Sequence, residues 1–123
     1  MTSRRTKQKR DTKYFEQARN MRTVQAVLDR LLPEFKSFTP PVVRTHHWGP
    51  FGGAPDDFDI TFIFATRAEA QLACAEEVRR LRDRVHATLL SVGYPSEPLA
   101  TFRYHVASEE EIKDAGGDFA YFH

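Results

Sequence analysis

Asp59, Thr61, Arg103 and His105 are the residues whose types and spacing come nearest to a chemical site. Asp59 and Thr61 stand two apart in the run Phe58-Asp59-Ile60-Thr61-Phe62-Ile63-Phe64, and Arg103 and His105 two apart between Leu99 and Ala107. Residues two apart in an extended strand share a face. If these strands are neighbours, a carboxylate, a hydroxyl, a guanidinium and an imidazole converge on one side of a sheet. The run Val42 to Trp48 adds either Arg44, His46 and Trp48 or Thr45 and His47, because alternation allows one set per face. Arg44 and Arg103 beside a histidine suit an anionic ligand or an acidic partner side chain, since a guanidinium forks onto an anion through parallel N–H donors. The competing expectation is a solvated face whose charges pair across strands.

Metal and nucleophile chemistry find less support. His46 and His47 are consecutive strand residues that point to opposite faces, so a metal site would need one of them with Asp59 and His105. No compact zinc-type spacing is present, and no metal or cofactor is expected. Gly52-Gly53 ahead of Asp57 and Asp59 resembles the glycine pair and strand carboxylates of nucleotidyltransferases. Only Ala54-Pro55-Asp56 intervenes here, however, and the third strand offers no further carboxylate. The chain lacks a nucleophile elbow, a phosphate-binding loop, a dinucleotide fingerprint and a zinc-protease motif, so no catalytic residue is assigned. Cys74 is the one cysteine, in an Ala-rich helical pattern that suggests a small packed residue.

Charge supplies two further candidates. Residues 1–13 hold Arg4, Arg5, Lys7, Lys9, Arg10 and Lys13 against Asp11 alone, a formal +5, while residues 14–123 hold 12 basic and 16 acidic side chains, a formal −4. The basic arm has no aliphatic or aromatic residue after Met1 and reads as a segment without structure of its own, suited to nucleic-acid phosphates through counterion release. Glu109, Glu110, Glu111 and Asp114 form an acidic surface able to complement a basic protein partner, as inhibitor or immunity-type proteins do. The same acids would also favour the dipole of a helix that starts at Glu109.

The elements that must position these residues follow from periodicity. Tyr14, Ala18, Met21, Gln25, Leu28, Leu32 and Phe35 recur at helical steps, with Pro33 predicting an end or kink near Leu32. Gly49 to Asp56 is dense in turn residues and reads as a loop between two strands. Thr66-Arg67-Ala68-Glu69 is a capping box that opens a helix of about 25 residues, stopped by Gly93 and Pro95. Ser108 to Glu111 repeats that box for a short helix ending at Gly116-Gly117, and Phe119 to His123 reads as a last short strand.

The order α-β-β-α-β-α-β predicts one α+β domain over residues 14–123, a two-layer α/β sandwich with a mostly antiparallel or mixed sheet and helices on one face. In general architecture it is similar to ferredoxin-like small sandwiches, a likeness that implies no function. No apolar run is long enough to cross a bilayer and no secretory leader is visible, so a cytoplasmic setting without membrane contact is expected. The function expected is non-enzymatic binding of another macromolecule, most readily a protein. The alternatives are RNA or DNA binding through the arm, and an anionic-ligand or enzyme site on the polar sheet face.

Overall fold

A computed structural model describes residues 3–49 and 58–123, with side chains from Phe15 onward. At its centre lies β2 (Asp59–Phe64), whose alternation sends Ile60, Phe62 and Phe64 with the preceding Phe58 into the main core and turns Asp59, Thr61 and Ile63 the other way. On one side β2 pairs antiparallel with β1 (Val42–Trp48), and on the other it pairs parallel with β3 (Arg103–Ser108). The sheet order is β1-β2-β3. A parallel partner is what a helical crossover between two strands produces, so the sheet is mixed.

The register slips between Val42 and Arg44, a β-bulge that leaves Val42 in the main core and Val43 against a second, smaller cluster. Beyond the bulge, Arg44, His46 and Trp48 stand on the face of Asp59 and Thr61, with His46 opposite Thr61 and Trp48 opposite Asp59. His47 falls on the helix side, bonded to Gln25 and edge-on to Phe58.

Two helices form the second layer. From α1 (Ser3–Lys36), Val24, Val27, Leu28, Leu31 and Phe35 meet the strand phenylalanines, and from α3 (Ala75–Ser91), Leu81, Val85 and Leu89 do the same. This is the α+β two-layer sandwich that the sequence predicts, with the difference that not all helices lie on one face: residues 109–122 pack on the other side of the sheet, through Ile112, Tyr121 and Phe122 against Ile63 and Ala107. Pro33 does not end α1, which continues to Lys36 and so keeps Phe35 in the core. Pro33 and Asp29, whose carbonyl the missing N–H would have met, are both exposed, and water can take the lost bond.

Five other expectations change. The helix begins at Ser3, so its backbone runs through the basic segment in which no structure was expected. The long helix after Thr66 is two: α2 (Arg67–Leu72) and α3, separated at Ala73 and Cys74, whose extended backbone lets Ala70 and Ala73 pack on the core. Cys74 at that break is exposed rather than packed. The third strand starts late, because residues 97–101 coil into a 3-10 turn before Phe102 enters the core. Asp118–Phe122 is helical and not a strand: this α5 follows α4 (Glu109–Asp114) across Gly116 and Gly117, both at positive φ. Five residues are too few for alternation to separate strand from helix.

Caps behave as their residue types require. The hydroxyls of Thr66 and Ser108 accept the N–H groups of Glu69 and Glu111, each at 3.1 Å. At the end of α3, Gly93 at φ +91 donates to Leu90 while Tyr94 donates to Leu89, a paired terminal motif that favours a residue without Cβ. The loop expected from Gly49 to Asp56 lies, beyond Gly49, outside the described residues, as do Gly52, Gly53 and Asp57.

A groove on the polar face of the sheet

Of the residues singled out from sequence, Asp59, Thr61, His105 and His46 come together, joined by Trp48, Val106, Tyr121 and Phe122 around an open groove of about 400 Å³. Strand pairing brings this about: Asp59 lies beside Arg103 and Thr61 beside His105 in the β2–β3 register. The Asp59 carboxylate accepts from Arg103 Nε at 2.7 Å, and its Oδ1 meets His105 Nε2 at 3.0 Å. Burial works to raise the Asp59 pKa, but the hydrogen bonds and positive charge of Arg103 and His105 outweigh it and hold the carboxyl below its ordinary value.

Thr61, 5% exposed, is floor rather than rim. The walls are aromatic. His46 stacks on Phe122 with ring centroids 3.7 Å apart, and burial depresses its pKa, favouring the neutral imidazole. Trp48, 39% exposed, meets His123 edge-on at 4.1 Å, and His123 in turn stacks on Phe119, which is 78% exposed. Tyr121 and Phe122 line the groove, held there by packing on Ile63, Ala107 and Ile112, and Phe119 and His123 continue the aromatic cluster beside Trp48. The segment that the sequence suggests as a last short strand instead forms a helix, which brings Tyr121 and Phe122 beside Asp59. The signal available was the pair Gly116-Gly117, which reverses the chain after α4.

Arg44 shares the face but serves another purpose. Its Nε reaches Glu109 at 2.7 Å and its two terminal nitrogens reach Asp118 at 2.6 and 2.8 Å. Hydrogen bonds donated to Asp118 and Glu109 raise its pKa further, so the guanidinium remains charged and ties α4 and α5 to β1. The acidic segment is likewise engaged within the chain: Glu110 accepts from the Arg67 backbone N–H at 3.1 Å, Asp114 pairs with the Arg67 side chain, and the Glu111 carboxylate accepts from the Ser108 and Tyr121 hydroxyls. Both guanidiniums proposed for an anionic ligand thus have carboxylate partners, Arg103 with Asp59 and Arg44 with Glu109 and Asp118.

Among the described residues, no group of three or more His, Cys, Asp or Glu side chains is placed to hold a metal ion. No described helix is long and apolar enough to cross a membrane. The side chains of Arg4, Arg5, Lys7, Lys9, Arg10 and Lys13 lie outside the described residues. No protein-family model, curated protein or solved structure matches the chain, so the geometry of the groove carries the functional reading.

Proposed function

We propose that this chain is a non-enzymatic binding protein, working in the cytoplasm, that receives a segment of a partner protein in the groove between β1, β2, β3 and α5. The observation that supports this most directly is the pairing of exposed aromatics, Trp48 in the groove lining and Phe119 beside it through His123, with a pre-ordered polar floor in which Asp59 is held by Arg103 and His105. Tryptophan, tyrosine and arginine are the residue types that concentrate binding energy at protein interfaces, and a polar group already fixed loses little freedom on binding. The groove is open along the sheet, which suits an extended chain better than an enclosed small molecule. The neutralisation of Arg44 and Arg103 weighs against a free anion as the occupant.

The test is comparative capture. Full-length protein and a Trp48→Ala, Phe119→Ala double variant are immobilised side by side and exposed to the same native lysate. Because both side chains are exposed, the variant should keep its fold, as circular dichroism can verify. A protein retained by the first and lost from the second supports the groove as the recognition surface. Identical recovery by both, or no specific recovery by either, would sink it.

A further inference from the structure

Arg44, Arg67, Arg84 and Arg103 each contact a carboxylate. Arg19, Arg22 and Arg30 on α1 differ: among the described residues none of them makes an ion pair, and all three are exposed. Of the nearby acids, Glu34 and Asp29 are engaged by other side chains, and Glu16 makes no ion pair with Arg19 among the described residues. Glu34, one turn beyond Arg30, is forked onto Arg84 at 2.8 and 3.0 Å, and Asp29 accepts the Gln25 amide at 2.9 Å. The three arginines line a second groove, of about 410 Å³, floored by Thr23, Ala26, Val27 and the exposed Val92 at the end of α3.

We propose that this face of α1 is a nucleic-acid backbone site, with the arginines gripping successive phosphates and the N-terminal part of the same helix extending the contact. Arg19 and Arg22 are one turn apart and Arg30 lies two turns further, so the row covers about 16 Å of helix axis. A nucleic-acid strand rises about 3.4 Å per phosphate, so the row matches several phosphates along a strand and is longer than a single phosphate requires. Guanidinium groups suit the task because their planar donors fork onto phosphate oxygens.

The helix continues the track. Val24 is the first buried residue of α1 among those described, which leaves about 30 Å of helix on its N-terminal side. From Ser3 to Arg30 the helix sequence holds nine basic residues against Asp11, Glu16 and Asp29. An anionic membrane is the less favoured polyanion. A helix lying in a bilayer interface needs a broad apolar face, and residues 3–13 contain no aliphatic or aromatic residue.

The experiment is a fluorescence-anisotropy titration of the full chain with labelled 20-base-pair DNA, the matching RNA duplex and a single strand, in 50 and 200 mM salt, with sedimentation on phosphatidylserine vesicles as a parallel arm. Arg19→Gln/Arg22→Gln/Arg30→Gln is compared with a charge-matched control, Arg79→Gln/Arg80→Gln/Lys113→Gln. Wild-type affinity should fall about 10³-fold or more between the two salts if six or more phosphates are contacted. On duplex DNA the triple variant should flatten the logarithmic salt slope by about 2.7, at about 0.9 per lost contact, while the control leaves it unchanged. A preference for DNA or for RNA identifies the natural ligand, and either supports the proposal. Absence of binding to all three probes, equal loss in both variants, an unaltered slope in the arginine variant, or binding only to phosphatidylserine vesicles overturns it.

Discussion

Asp59 is the residue on which the groove is organised. Its carboxylate is the meeting point of Arg103 and His105, and its lowered pKa reflects that company. A carboxyl whose folded pKa lies below its unfolded value stabilises the fold above the unfolded value, near 3.9, and loses that contribution as pH falls through the folded one. Asp59→Asn should therefore cost about 1–2 kcal/mol at pH 7, less than the full effect of a hydrogen bond to a charged group because Arg103 is half exposed and solvent screens the pair. The difference from wild type should narrow between pH 7 and pH 2 as the Asp59 carboxyl takes up its proton. Urea unfolding at the two pH values measures both quantities, and an equal deficit at each would show that charge is not the cause. Much of this cluster was legible in the sequence because strand alternation fixes which residues share a face. What alternation left open was the side of β1, which the bulge at Val43 decides by setting Arg44, His46 and Trp48 beside Asp59 and Thr61.

Among the elements, α4 and α5 depend most on a single side chain. Arg44 bridges Glu109 at the start of α4 and Asp118 at the start of α5, fixing both against β1. These groups are partly solvated, so the bridge should contribute only about 1 kcal/mol to global stability. Its local effect should be larger. In Arg44→Ala, hydrogen exchange at the amides of residues 118–123 should rise several-fold while β2 amides stay protected, and uniform exchange would contradict a local role. The caps at Thr66 and Ser108 and the stop at Gly93 were readable because each rests on hydrogen bonds between sequence neighbours. The break at Cys74 was not, since neither Ala73 nor Cys74 interrupts a helix by itself and the turn serves the distant packing of Ala70 and Ala73. The helical fate of 118–122 escaped for the same reason: Tyr121 and Phe122 are placed by Ile63, Ala107 and Ile112, which belong to other elements.

At the level of the whole molecule, one buried layer fixes the separation between two surfaces. Phe58, Ile60, Phe62 and Phe64 pack under α1 and α3, and the polar face lies on the opposite side of the same strand. Phe62 is fully buried, edge-on to Phe35 at 5.8 Å and stacked with Tyr104 at 5.8 Å. Phe62→Ala should cost about 3–5 kcal/mol, a large part of the stability of a domain this size, and thermal melting reads the loss directly. A drop of less than about 1 kcal/mol would place Phe62 outside the core. The same layering keeps the groove around Asp59 apart from the arginine track on α1, so damage to one should leave the other intact. The groove itself is open to a direct optical test, because Trp48 at its rim is the single tryptophan in the chain. In a titration with a partner recovered by capture, the account predicts a saturable change in Trp48 emission that tracks occupancy and is lost in His105→Ala. Binding verified by calorimetry with Trp48 emission unmoved would contradict it.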